Sequence, residues 1–129
     1  MNHPAQVAHA RLVAVVDDDS GVRTSLSSLL RALGYDTLTY ASAAEFLQAL
    51  PAHVPRCLIS DMRMPGMDGE QLHAALQSAG HDFPVIFMTA FPTEAMRARV
   101  LARGAHAFLG KPVEADAIAA CVAEAFAPR

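Results

Sequence analysis

The chain of 129 residues has one lysine, two cysteines, no tryptophan and 6% aromatic residues, and each shortage excludes something. Cys57 and Cys121 lack the spacing of a zinc site and read as packing thiols in a reduced compartment. All but one of the 10 basic residues are arginines, scattered without a run, and the net charge is -3. No basic stripe therefore exists to attract nucleic acid or an anionic membrane, and DNA binding by this chain alone is not expected. No stretch approaches the roughly 20 apolar residues of a membrane span, and Met1 to Ala10 has neither a basic segment nor an apolar core. A cytoplasmic protein is expected. The six histidines are dispersed without ligand spacing, which puts them at surface or loop positions.

What is present is a 53% apolar composition, enough in a chain of this size for one domain packed mainly with aliphatic side chains. A short N-terminal tail over 1–10, one domain over 11–126 and a tail over 127–129 are expected. Residues 11–16 are short, Val-rich and not alternating, as in a strand buried on both faces of a parallel sheet. A helix follows, with Ser20 as its cap, Val22, Leu26, Leu29, Leu30 and Leu33 on one stripe, and Gly34 as its stop. The pattern repeats. Strands at 36–40, 57–60, 85–88 and 107–109 alternate with helices at 43–49, 69–78, 93–103 and 113–126. Ser42 and Glu45 form a capping box before the second helix. Five strands alternating with five helices predict an α/β fold, a doubly wound parallel sheet with helices on both faces.

In such sheets ligands bind beyond the carboxyl ends of the strands. Asp17, Asp18 and Asp19 follow the first strand, Asp61 the third, Thr89 the fourth and Lys111 the fifth. Four separate segments thus converge on one edge. Carboxylates gathered there repel one another unless a cation joins them, and an acidic metal pocket beside one ammonium suits phosphoryl chemistry.

Asp17-Asp18, the loop Asp61-Met-Arg-Met-Pro-Gly-Met-Asp-Gly, Thr89-Ala90, Phe108 and Lys111-Pro112 resemble the response-regulator receiver domain of two-component signalling, in its CheY-like superfamily and closest to the FixJ type. The resemblance runs from Arg11 to Phe126. It implies that Asp61 is the phosphoacceptor, taking its phosphoryl group from a sensor histidine kinase or phosphotransfer protein. It also implies a Mg²⁺ or Mn²⁺ ion held by Asp18, Asp61 and the backbone carbonyl of Arg63, with Asp17 acting through water. Lys111 and Thr89 would bind phosphoryl oxygens. Thr89 with Phe108 would form a switch that alters the face made by the fourth helix, fifth strand and fifth helix, so controlling a downstream protein target or a phosphorylation-dependent homodimer. A cis Lys111-Pro112 bond is implied as well.

Not every residue near this edge belongs to the site. Asp19 reads as a turn residue, Asp68-Gly69 as a turn and helix start, and Met62, Met64 and Met67 as packing. Gly110 and the Phe91-Pro92 pair depart from common wording of the family. Three other functions compete. A small hydrolase of the aspartyl-phosphate type would carry a second acid where Arg63 stands. A flavodoxin-like carrier needs a first loop that donates to phosphate, where three aspartates would repel it. The chain could also be the receiver half of a longer DNA-binding transcription regulator, although the short tail favours a stand-alone protein; the missing second acid argues for a phosphoacceptor without enzymatic turnover.

Overall fold

The computed structural model describes residues 10–128. Its elements run β1 (Leu12–Val16), α1 (Ser20–Ala32), β2 (Asp36–Tyr40), α2 (Ala43–Ala49), β3 (Cys57–Asp61), α3 (Gly69–Ser78), β4 (Val85–Thr89), α4 (Glu94–Ala102), β5 (Ala107–Gly110) and α5 (Ala115–Phe126). The strands form one parallel sheet in the order β2-β1-β3-β4-β5. Every residue of β1, β3 and β4 is buried, which accounts for their unbroken apolar runs.

Alternate residues of β1 serve opposite faces. Val13 and Val15 pack with Leu26 and Leu30 of α1 and with Ile118 and Val122 of α5. Ala14 and Val16 pack with Phe46 of α2, Leu72 and Leu76 of α3 and Val100 of α4. Two helices thus cover one face and three the other. Each cluster is apolar enough to drive the layers together at about 25 cal/mol per Å² of buried surface.

Several boundaries differ from the sequence-based expectation. Arg11 is exposed and precedes β1, while the third, fourth and fifth strands each extend one residue further, through Asp61, Thr89 and Gly110. Ladder pairing carries them on: Asp61 stands opposite Met88, and Thr89 opposite Gly110. Asp19 rather than Ser20 caps α1, because its carboxylate reaches the N–H groups of Gly21 at 2.8 Å and Val22 at 3.1 Å. The Ser42 hydroxyl accepts from the Glu45 N–H, but the Glu45 carboxylate accepts from Ala41 instead of closing the box on Ser42. The full box is at α3, where Asp68 and Gln71 serve each other's backbone N–H. Gly34 and Gly104 adopt positive φ after α1 and α4.

His73 also departs from expectation. It is buried on α3, edge-on to the Phe87 ring with centroids 5.5 Å apart, and burial pushes its pKa below the ordinary value. A helix placed across a sheet buries whatever its inner stripe carries, and His73 adjoins Leu72 on that stripe. Cys57 is fully buried, its thiol pushed up to about 12 by burial and then by the nearby Cys121, which is half-buried. Among the described residues no helix is long and apolar enough to cross a membrane.

The return from β3 into α3 is the tightest point of the fold. The Gly69 N–H donates to the Met62 carbonyl at 3.1 Å, and a Cβ on Gly69 would run into the Asp61 carbonyl oxygen and stand 3.1 Å from the Phe87 ring. Both obstacles are rigid. Gly69→Ala should therefore destabilise the protein by about 1–3 kcal/mol, the usual cost of overpacking. Urea unfolding monitored by circular dichroism measures this, and a midpoint equal to the parent's would show that the loop after Asp61 yields easily.

Candidate functional site

The parallel register brings the ends of β1, β3, β4 and β5 to one edge. Asp17 is wholly buried, Asp61 is 6% exposed, Thr89 is buried and Asp18 faces solvent. One carboxylate oxygen from each of Asp17, Asp18 and Asp61 lies within 4.8 Å of the others. Lys111, just beyond β5, reaches into this group. Its ammonium lies 2.8 Å from Asp17 Oδ2 and 3.1 Å from Asp61 Oδ2. The contact to Asp61 has hydrogen-bond alignment, while that to Asp17 is an ion pair and leaves Asp17 Oδ2 without a hydrogen-bond partner.

The charges work against burial. Burial raises the Asp61 pKa above the ordinary carboxylate value, and the Asp17 charge raises it further; hydrogen bonds from Lys111 and the Arg63 N–H offset only part of this. Burial opposes the Lys111 charge too, but the close contacts and charges of Asp17 and Asp61 together outweigh it and hold its pKa above the ordinary one. An oxygen-rich pocket of three carboxylates served by a single ammonium fits a hard divalent cation.

The other expected site residues fall at different distances from this centre. The Arg63 N–H donates to Asp61 Oδ1 at 3.3 Å, while its side chain is exposed. The Thr89 hydroxyl accepts from the Phe91 N–H at 3.4 Å, and the Thr89 carbonyl accepts from the Lys111 N–H at 2.7 Å. Phe108 is half-buried and packs against the cluster beneath α2, α3 and α4, away from the carboxylates. Met62 and Met64 are core residues, whereas Met67 is 36% exposed and Phe91 74% exposed. Gly110 and Pro92 belong together: a Cβ on Gly110 would stand 3.1 Å from Pro92 Cγ. The Lys111-Pro112 bond is cis.

Sequence reading missed two features. Arg23 of α1 donates from Nη1 to the Asp17 carbonyl at 2.8 Å. Glu70 of α3 receives a two-pronged bridge from Arg99 of α4, both arms 2.8 Å, and Arg103 stands 3.6 Å away. The position of Arg23 one turn after the Asp19 cap, on a helix whose side chains lean back toward its N-terminus, was the available signal for the first.

A 2-1-3-4-5 parallel sheet with paired carboxylates after β1, an aspartate ending β3 and a lysine after β5 defines a CheY-like α/β receiver fold. Known proteins agree. The pattern of the response regulator receiver domain matches residues 13–123, and the chain belongs to that family, the receiver domains of two-component response regulators. It is 38% identical over 107 residues to the transcriptional regulatory protein TdiR of Thauera aromatica, covering 83% of this chain and 47% of that protein. Against the transcriptional regulatory protein FixJ of Bradyrhizobium diazoefficiens the identity is 35% over 113 residues, covering 88% and 55%. The chain thus spans about half the length of these relatives. Among solved structures, the crystal structure of FixJ-N superposes with a TM-score of 0.81 at 31% identity, covering 89% of this chain and 92% of that one. A response regulator receiver protein from Burkholderia phymatum gives 0.79 at 39%, covering 89% and 94%.

The raised Asp61 pKa has a measurable consequence. A carboxyl whose folded-state pKa exceeds its unfolded one contributes stability that is fully present below the unfolded value and is lost as pH rises through the folded one. At pH 7 with divalent cations chelated, Asp61→Asn should therefore melt at a higher temperature than the parent. The advantage should narrow as pH falls toward the ordinary value of 3.8. Melting curves across that range decide it, and a variant less stable at pH 7 would mean that the pairing with Lys111 outweighs burial.

Proposed function

We propose that the chain is a phosphoacceptor: Asp61 receives a phosphoryl group from a phosphohistidine of a sensor histidine kinase or phosphotransfer protein, and the face formed by α4, β5 and α5 changes to control a downstream protein. The observation that carries this reading is the Lys111 ammonium 3.1 Å from Asp61 Oδ2, beside carboxylate oxygens within 4.8 Å of one another. Asp61 Oδ attacks phosphorus as the P–N bond breaks, and the electron pair returns to the imidazole, which takes up a proton and leaves as neutral histidine. A Mg²⁺ or Mn²⁺ held by Asp18, Asp61 and the Arg63 carbonyl, with Asp17 acting through water, would cancel charge between the attacking carboxylate and the phosphoryl oxygens.

Lys111 neutralises a second phosphoryl oxygen, and its short contact with Asp61 supports that role. The Thr89 hydroxyl hydrogen-bonds a third. Thr89 ends β4 and is tied by its carbonyl to Lys111, so a hydroxyl drawn to the phosphoryl group shifts the β4–α4 turn. Phe108 on β5 then has room to turn inward, and the half-buried ring is consistent with such a move. The receiver unit is 11–126, flanked by the tails 1–10 and 127–129, and works in the cytoplasm. Signalling rather than turnover is favoured by Arg63, which stands where a hydrolase of the aspartyl-phosphate type carries its second acid.

A second reading concerns context and keeps the chemistry. TdiR and FixJ are transcriptional regulatory proteins about twice as long as the matched region, which supports a receiver that governs a DNA-binding part.

Incubated with Mg²⁺ and acetyl phosphate, the protein should gain one phosphoryl group by intact-mass measurement, and the gain should vanish in Asp61→Asn and with EDTA. Equal labelling of parent and variant would overturn the assignment. Mg²⁺ at ten times its dissociation constant should also stabilise the parent by about 1.4 kcal/mol, seen as a higher melting temperature.

A further inference from the structure

Asp17 is held through every polar atom it has. Its N–H donates to the Tyr40 carbonyl at 3.1 Å, Oδ1 accepts from the Asp19 N–H at 2.9 Å, and Oδ2 pairs with Lys111 at 2.8 Å. The remaining atom, the carbonyl oxygen, accepts from Arg23 Nη1 at 2.8 Å. Arg23 sits in the second turn of α1, beyond the Asp19 cap, and its half-buried side chain folds back to the end of β1. The turn from β1 into α1 is therefore clamped from the helix side.

The geometry points to Arg23 as a positioning residue for the cation site: by fixing the Asp17 carbonyl, its guanidinium holds the β1–α1 turn in the shape that presents Asp17 and Asp18 to a divalent cation, an inference that rests on the phosphoacceptor reading above. Two effects of Arg23 have opposite signs. Its positive charge repels an incoming cation, so charge alone predicts that removing it tightens binding. Its hydrogen bond fixes the backbone between two carboxylates that must meet one ion, so position predicts that removing it loosens binding. Position wins here. The charge sits partly in solvent, where its field is weak, whereas the hydrogen bond acts on a residue with no exposed surface. A residue serving only to satisfy a buried carbonyl would change stability and leave cation affinity alone.

Titration calorimetry with MgCl₂ on the parent, Arg23→Gln and Arg23→Lys separates these cases, with melting curves in EDTA recorded alongside. Arg23→Gln is expected to bind Mg²⁺ about tenfold more weakly, the scale typical of outer-shell partners. Arg23→Lys keeps a donor that can reach the same carbonyl and should recover part of the loss. Unchanged or tighter binding in Arg23→Gln, whatever its melting temperature, would overturn the inference while leaving the phosphoacceptor reading standing, and so would a lysine variant with no recovery. A parent that binds no Mg²⁺ would overturn both. Should Arg23→Gln fail to fold, Arg23→Met, which keeps the apolar stem and has no donor, takes its place: binding weaker than the parent's supports the clamp, and binding equal to or tighter than it removes the role.

Discussion

Lys111 stands between two buried carboxylates, Asp17 and Asp61, at 2.8 and 3.1 Å, and the edge of the sheet is organised around that ammonium. Two acids so close in a pocket shielded from water would otherwise repel each other strongly. A single cation shared by both offsets that repulsion and fixes three strand ends in register. The order β2-β1-β3-β4-β5 supplies this: β1 and β3 are neighbours, and β5 lies two strands from β3, within reach of a long flexible side chain. Because the chain has no other lysine, no neighbouring ammonium can take over the contact.

Stability and function pull in different directions at this edge. The two core clusters hold the sheet from both faces, so the strand ends stay in place even though the charges they present are poorly solvated. Helix α4 is fastened differently. Only Val100 of α4 is buried, and α4 is tied to α3 by the Arg99 and Arg103 contacts to Glu70 and by Gln77 donating to the Arg103 carbonyl at 2.7 Å. A helix held by exposed polar contacts is easier to shift than one seated by a broad apolar stripe.

The strands and the convergence of Asp17, Asp61, Thr89 and Lys111 were legible because they depend on a physical signal carried along the chain: apolar runs buried on both faces, each ending in a polar residue. Helix starts were less so. Ser20 and Asp19 are both good caps, and only the backbone turn decides which oxygen reaches the free N–H groups. His73 looked like a surface residue because its neighbourhood on α3 is set by the sheet beneath it and not by adjacent residues. Arg23 and Glu70 escaped notice for a related reason. An arginine in a helix carries no local mark of whether it meets solvent or, as here, a carbonyl from another element.

Gly110 ends β5 and Pro92 lies in the turn between β4 and α4, and each alone departs from the common wording of the family, yet a Cβ at 110 would stand 3.1 Å from the proline ring, which would have to give way slightly. The two positions are therefore constrained as a pair through direct contact. Ancestral or engineered sequences that exchange one of these segments with a relative bring in a tight contact unless the other segment travels with it. Across related chains, a side chain at the position of Gly110 should coincide with a smaller or differently shaped residue at that of Pro92. The order in which such changes accumulate matters: shrinking residue 92 first removes the tight contact before a side chain at 110 arrives.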